Sequence, residues 1–314
     1  MSNVKDLIIL GNGMAGMTAA LYAKRANLDF KIVGRDEYDF GQISNAILVE
    51  NFPCVNSQSG FDLADKLHDQ LLDNHITIEE HTVVKLNRKY IANTNHKKSE
   101  YLWEIIYSDN TTDLSRTVIY ALGASHRKLD CEIEDKVQIH YCALCDGALY
   151  RDKTVAIVGG GDVAFTQAEY LSKICTEVWI IMCDRNVTAA PSTFERVNKI
   201  DNIKIIYDYP IECIKKCEDG KYRLKRVYAR DSGLITEGIF VAIGMVPNTE
   251  PLKEYELDKN GYIDCNDDNL SSIHYSSLFG AGDVRTKQVR QAITAANDGA
   301  IAVNSVVNYL NKLK

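Results

Sequence analysis

The stretch YCALCDGALY, Tyr141 to Tyr150, places Cys142 and Cys145 two residues apart and sets Asp146 directly after them. Two thiols at this spacing can form half of a zinc site, lie inert in a core, or make and break a disulfide. A carboxylate beside them can hold the proton that thiol exchange moves. Zinc would require a second Cys or His pair at ligand spacing. Cys213 and Cys217 form the other close pair, in YPIECIKKCEDG, a strand running into a turn with no His nearby. They read as structural thiols, and no metal site is expected. Inert thiols are a poor fit for Cys142 and Cys145, because Asp146 and Gly147 follow at once and a strand–glycine pattern begins soon after.

The elements around this stretch are dominated by glycine loops. DLIILGNGMAGMTAALYAKRANLDFKIVG is a buried-strand run, then Gly11-x-Gly13-x-x-Gly16, then a helix with small apolar faces, then a second strand. Gly11 suits the tight turn, Gly13 lets backbone approach a pyrophosphate, and Gly16 lets helix and strand pack closely, with the helix N-terminus facing the phosphates. The pattern recurs in KTVAIVGGGDVAFTQAEYLSKICTEVWIIM as Gly159-x-Gly161-x-x-Ala164, so two Rossmann-like domains are expected. Near the C-terminus, SLFGAGDVRTKQVRQAITAANDGAIAVNSVVNYL places Asp283 at a strand end before a small-residue helix. There it can accept from a ribose or ribitol hydroxyl, or simply cap a turn. Leu7–Leu10, Lys31–Val33 and Thr117–Leu122 read as strands, Gly16–Asn27 and Gln291–Leu310 as helices, and residues 61–73 as an amphipathic helix.

The chain has 314 residues, 46% hydrophobic and 25% charged, with a formal net charge of −7. This is globular composition with room for two cores. The acidic balance argues against nucleic acid or an anionic membrane as the main partner. The first residues carry no signal-peptide pattern and no span of about 20 apolar residues, which points to a cytoplasmic protein. Nine cysteines, mostly scattered singly, do not form a secreted disulfide framework; in such a chain a close pair is more often metal-binding or catalytic.

Five motifs in fixed order, GNGMAG, YALGAS at 120–125, YCALCDG, FVAIGMVPNT at 240–249 and LFGAGDV, resemble the low-molecular-weight thioredoxin reductases, two-domain flavoprotein disulfide reductases, over essentially the whole chain. The resemblance implies an α/β fold of two Rossmann-like three-layer domains. An FAD domain, residues 1–120 and 243–314, would be interrupted by an inserted NAD(P)-binding-like domain, residues 121–242, joined by short strand pairs. It implies that Gly11, Gly13, Ala15 and Gly16 hold FAD. Gly41, Gln42 and Asn51 of FGQISNAILVENFP would join them, with Gly123, Gly282, Asp283, Arg290, Gln291 and Ala292. It also resolves the thiol pair as a redox-active disulfide. Cys145 would lie against the flavin, Cys142 would attack the disulfide of thioredoxin, and Asp146 would be the acid–base group, with a helix N-cap as its plainer role. A homodimer is implied as well.

The sequence departs from the family where NADPH-dependent members carry His-Arg-Arg-x-x-x-Arg for the 2′-phosphate. Here IIMCDRNVTAA supplies Met182, Cys183, Asp184 and Thr188. Hydrogen bonds to charged groups contribute roughly 1.5–3 kcal/mol each, so losing two or three costs about 3–9 kcal/mol, two or more decades of affinity. Asp184 would repel the phosphate and Arg185 compensates only in part, so no tightly bound NADPH is expected. Asp184 could instead select NADH through an adenosine ribose. The pattern resembles more closely the ferredoxin-dependent flavin thioredoxin reductases, which implies reduced ferredoxin as the donor. KKCEDGKYRLKRVYAR, with Lys215, Lys216, Lys221, Arg223, Lys225, Arg226 and Arg230, is a candidate dock or an ordinary solvated hairpin face; Lys24, Arg25, Arg127 and Lys128 are alternatives. A flavin-binding redox sensor and a ferredoxin–NADP reductase-type activity are the competing functions; the intact Cys142/Cys145/Asp146 set argues for turnover against the first, and the second does not require the two cysteines.

Overall fold

A computed structural model describes residues 4–46, 49, 51–55, 58–91, 100–227 and 233–313. The chain divides into unit 1, Met1–Ser125 with Val246–Lys314, and unit 2, His126–Met245. The boundaries fall later than the 120/121 and 242/243 junctions expected from the sequence. Residues 121–124 stay with unit 1 because Ala121 N–H donates to Leu10 O (2.8 Å), and Asn248 bonds both Leu122 O (2.8 Å) and Gly123 O (3.0 Å). The crossing strands Ala124–His126 and Met245–Pro247 pair with each other.

In unit 1 the strands Ile78–Glu80, Phe30–Gly34, Lys5–Leu10 and Thr112–Tyr120 lie side by side in that order, and Leu278–Gly280 also pairs with Thr112–Tyr120. These pairings are parallel, with Ile9 opposite both Ile32 and Ile119, and Phe279 opposite Ile119. The first half of Thr112–Tyr120 instead runs antiparallel to Glu100–Tyr107, which pairs with Val83–Ile91. Leu7 to Leu10 have no exposed surface, as a parallel strand covered on both faces requires. Leu7 and Ile9 pack on Met17, Ala20, Val303 and Val306 of two helices, while Ile8 and Leu10 face Trp103, Tyr107, Leu252 and Ile263. Alternate residues thus feed two cores, as the two-residue period of a strand dictates.

The first helix spans Met14–Arg25, beginning earlier than the sequence suggests because Gly13 is its N-cap, and stopping before Asn27, which adopts φ 53°. The amphipathic helix is Gly60–Asp73, capped by Ser59, whose hydroxyl accepts from Asp62 N–H (3.0 Å). The last helix, Ala292–Leu313, presses Gly299 so close to the first that an added Cβ would meet Ala15 O and Ala19 N.

Unit 2 carries a parallel sheet in the order Ile203–Ile206, Glu177–Ile181, Thr154–Val158, Gly238–Val241. One face packs Ile157, Ile180 and Phe240 against Phe165, Ala168 and Leu171 of the helix Asp162–Ser172. The other packs Ala156, Ile239 and Val241 against Tyr209, Ile214 and Leu224. The last two belong to a second sheet, in which Tyr222–Arg226 runs antiparallel to Ile211–Lys216 and Leu234–Thr236.

Gly299→Ala tests the close helix contact of unit 1. The methyl group meets backbone on the first helix, so unit 1 should lose about 1–3 kcal/mol, read as a lower urea midpoint. An unchanged midpoint would show that the helices separate without cost.

Candidate active site

The thiol pair is placed by backbone bonds to the edge of the unit 2 sheet. His140 N–H donates to Ile239 O (2.9 Å) and Val241 N–H donates to His140 O (2.7 Å), which fixes the segment two residues ahead of Cys142. Gln167 then ties Tyr141 O to the neighbouring helix (3.2 Å). Gly147 lets the turn close on that helix, since a Cβ there would come within 2.8 Å of Leu171 Cδ2. Between these anchors Cys142 and Cys145 are joined by a disulfide with Cα atoms 5.3 Å apart, both half-buried. Cys145 N–H points at Cys142 Sγ (3.2 Å), an arrangement that favours negative charge on that sulfur.

Asp146 is 5% exposed. It ends the short helix Ala143–Asp146, whose N-cap is Cys142, and stands at the N-cap position of the 3-10 helix Gly147–Tyr150 that follows, its side chain making no capping bond there. Its Oδ2 lies 2.9 Å from His140 Nδ1, and its Oδ1 is buried without a partner. His140 Nε2 lies 2.7 Å from the Tyr150 hydroxyl. Neither His140 nor Tyr150 stands out in the sequence; adjacency to the thiol motif is the sole hint for either. Burial first, then Tyr222 and Asp146, push the Tyr150 phenol far above its ordinary value.

The remaining thiols sit elsewhere. Cys213 is buried and Cys217 half-buried, both unbridged. Burial, with Asp152 nearby, pushes Cys175 up to about 11, and burial pushes Cys265 up to about 12. Among the described residues no group of His, Cys, Asp and Glu is arranged to hold a metal ion, and no helix is long and apolar enough to cross a membrane.

The second glycine loop keeps its backbone form. Gly159 has φ 149° and an added Cβ would strike Ala242 O. The chain beyond the next strand folds back onto it: Thr188 N–H (2.9 Å), Ala189 N–H (3.2 Å) and Thr188 Oγ1 (3.3 Å) all donate to Gly160 O. Met182 is buried, its Cε 2.6 Å from where a Gly160 Cβ would stand. Asp184 Oδ1 accepts from Asn186 N–H (2.8 Å), and Arg185 Nε donates to Asp208 (2.6 Å). The cation of this segment is therefore engaged by a carboxylate.

Unit 1 brings several of the expected dinucleotide residues into contact. Gly11 has φ 106°, and a Cβ on it would collide with Ala121 O; one on Gly16 would collide with Gly11 O. A Cβ on Gly282, which has φ 77°, would lie 3.1 Å from Ala15 Cβ, so the first and last motifs touch. Gln42 Nε2 donates to Ala124 O (2.9 Å), beside Gly123, and Gly41 adopts φ 72°. Asn51 Nδ2 donates to Gln291 Oε1 (3.1 Å), next to Ala292. Of the stretch FGQISNAILVENFP, residues 47, 48 and 50 lie outside the described residues.

Asp283 is half-buried, yet its Oδ1 has neither solvent nor partner, and Arg290 Nε is likewise orphaned. Burial raises the Asp283 carboxyl above its ordinary value, against the pull of Lys287 and Arg290. Of its expected plainer roles the cap is not observed, since Ala281 is the N-cap, but the turn is: Asp283 lies within Gly282–Val284. A buried acceptor on the turn Gly282–Val284 and a buried donor on Arg290, both left open, fit a ligand offering sugar hydroxyls and phosphate. The turn itself is held by Asp298, which no motif in the sequence singles out. Asp298 is 1% exposed and accepts from Gly282 N–H (2.9 Å), Arg285 Nε (3.0 Å) and Lys287 Nζ (2.8 Å).

Residues 5–299 match the family model of the pyridine nucleotide-disulphide oxidoreductases. The chain is 35% identical over 311 residues, 97% of both proteins, to a "34.2 kDa protein in rubredoxin operon" of Clostridium pasteurianum. It is 31% identical over 319 residues to the thioredoxin reductase of Listeria innocua, covering 99% of this chain and 95% of the relative. The crystal structure of the Streptococcus pyogenes thioredoxin reductase superposes with a TM-score of 0.83 at 31% identity, covering 99% of this chain and 100% of that one. The chain belongs to the pyridine nucleotide-disulphide oxidoreductases and, within them, to the low-molecular-weight thioredoxin reductase family. FAD is the cofactor typical of that family, and the open polar atoms of unit 1 fit it.

Asp283 yields a test in which the protein and its cofactor respond oppositely. Its carboxyl binds a proton more tightly folded than unfolded, so cofactor-free protein loses stability as pH rises from the ordinary carboxylate value through the raised one. Asp283→Asn should remove that loss and raise the urea midpoint of cofactor-free protein at neutral pH, while weakening FAD retention. A variant that keeps FAD fully would take Asp283 out of the cofactor site.

Proposed function

We propose that this chain is an FAD-dependent thioredoxin reductase whose electron donor is reduced ferredoxin. The disulfide between Cys142 and Cys145, with Asp146 buried beside it and one oxygen open, carries the reading of a disulfide reductase. The full-length likeness to proteins named thioredoxin reductase supplies the partner. The Gly11, Gly13, Ala15 and Gly16 loop, Gly41, Gln42, Asn51, Gly123, Gly282, Asp283, Arg290, Gln291 and Ala292 are the residues that would hold FAD. When bound, FAD supplies the two-electron reduction that opens the Cys142–Cys145 bridge.

The protein's own groups then carry out the exchange. Cys142 gives its proton to Asp146 and, as a thiolate favoured by the Cys145 N–H, attacks one sulfur of the thioredoxin disulfide. A Cys142–thioredoxin bond forms, the thioredoxin S–S bond breaks, and the expelled thiolate takes a proton from Asp146. Cys145 next attacks Cys142 sulfur, restores the internal bridge and releases the second thioredoxin thiol, protonated by the same route. The half-exposed pair is reachable, while the buried carboxylate keeps its proton from bulk water.

For the donor, support comes from what the second glycine loop offers. Met182, Cys183, Asp184 and Thr188 provide no cation at the phosphate-gripping positions, and Arg185 is engaged with Asp208. The relative named for a rubredoxin operon is in keeping with a small iron protein as electron source. An acidic carrier finds exposed Lys215, Lys216, Lys221 and Lys225 on the hairpin of Ile211–Lys216 and Tyr222–Arg226; Arg230 lies outside the described residues.

Cys145→Ser should accumulate a mixed disulfide between Cys142 and thioredoxin, visible on a non-reducing gel, and Cys142→Ser should accumulate none. The reverse pattern would exchange the two roles. Anaerobic titration at the flavin absorption band tests the donor. Reduced ferredoxin should bleach it, at a rate that falls as salt screens the steering charges, whereas NADPH and NADH at physiological concentration should leave it oxidised. Rapid turnover with NADPH would end the ferredoxin reading.

A further inference from the structure

His140 is 4% exposed and is pinned through its own backbone to the strand Gly238–Val241. Its ring lies 5.2 Å from the rings of both Tyr150 and Phe240. Both ring nitrogens are engaged, Nδ1 with Asp146 Oδ2 at 2.9 Å and Nε2 with the Tyr150 hydroxyl at 2.7 Å. We propose that His140 is a positioning residue for the acid–base group: its Nδ1–H holds Asp146 Oδ2 and leaves Oδ1 as the single oxygen that takes and returns the proton of thiol exchange, with Tyr150 fixing the tautomer. This rests on the role given to Asp146 above.

The tautomer follows from its two neighbours. A carboxylate oxygen accepts, so the nitrogen facing it must carry hydrogen. The Tyr150 phenol is held protonated by burial, so it has a hydrogen to donate to Nε2. A neutral ring with hydrogen on Nδ1 satisfies both contacts at once, and the second contact makes the opposite tautomer unfavourable. Asp146 cannot then turn its carboxyl, because one oxygen is tethered to a ring whose other end is tethered to a phenol.

The electrostatic surroundings leave the pair to itself. The helix Asp162–Ser172 packed on this turn carries Asp162, which accepts from Ala190 N–H (2.9 Å), and Glu169, bound to Arg196 (3.0 Å). It also places the Tyr170 ring against Gly147. Tyr222 faces Tyr150, and Lys153 Nζ sits 5.4 Å from the Tyr150 ring centre, donating to Leu149 O (3.2 Å). His126, stacked on Tyr141 at 4.3 Å, is pushed below its ordinary value by burial. The two cysteines of the turn are joined in the disulfide, and burial raises the Tyr141 phenol.

During exchange one proton shuttles: Cys142 thiol gives it to Asp146 Oδ1 as the sulfur attacks, and Oδ1 gives it to the expelled thiolate. The proton departs on the thioredoxin thiol, and His140 keeps its own throughout. His140 therefore touches neither sulfur in this scheme and acts through Asp146 alone.

Nitrogen-15 NMR of the imidazole in oxidised, cofactor-loaded protein reads the tautomer directly. Hydrogen on Nδ1 and a bare Nε2 are expected, and a proton on Nε2 would overturn the proposal. Carbon-13 titration of the Asp146 carboxyl gives a second reading. A hydrogen bond to a charged group is worth enough that His140→Phe should move the midpoint up by about one to two pH units. His140→Asn, which offers an N–H from the place of Nδ1, should return it towards the wild-type value. An unmoved midpoint in the Phe variant overturns the proposal, as does a failure of Asn to restore it. If Asp146→Asn leaves exchange with thioredoxin intact, the acid–base role of Asp146 falls, whatever the state of the His140 ring.

Discussion

Removing a carboxylate from water is costly unless its oxygens find donors, and three aspartates of this chain meet that constraint in three ways. Asp298 is saturated by a backbone amide, an arginine and a lysine; it fixes the turn from Gly282 to Arg285 and thereby the place of Asp283. Asp283 leaves Oδ1 buried and open, which fits a ligand that brings hydroxyls. Asp146 is half satisfied, with one oxygen against His140 and the other buried without a partner.

Both units use the same strand–glycine–helix device, and they diverge in what surrounds it. In unit 1 the loop is pressed against Ala121 and the last helix, and it faces residues with open polar atoms. In unit 2 the segment from Met182 to Ala190 bonds back to Gly160 and ties its arginine to Asp208. Glycine loops specify backbone approach, whereas the neighbouring side chains specify which phosphate, if any, is gripped. A retained glycine motif is thus compatible with a changed electron donor.

The sequence by itself determined the redox motif, the two glycine loops, the α/β class and the loss of the phosphate-gripping cations. Each is a local property: a spacing between side chains, a run of buried residues, or a residue absent from a known place. Helix ends were less legible, because Gly13 as an N-cap and Asn27 at positive φ are settled by backbone geometry. The domain junctions moved for a related reason, since Asn248 reaches across sequence to hold Leu122 and Gly123.

Only the tertiary structure decided the partners of the buried charges. Asp298 and Arg285 are 13 residues apart, and nothing in either segment read alone announces the other. His140 is an ordinary residue ahead of the thiols until the fold places Asp146 on one side of its ring and Tyr150 on the other. Hydrogen bonding is directional and short-ranged, so a sequence can supply the donor and the acceptor, but folding alone brings them to 2.9 Å and buries them together.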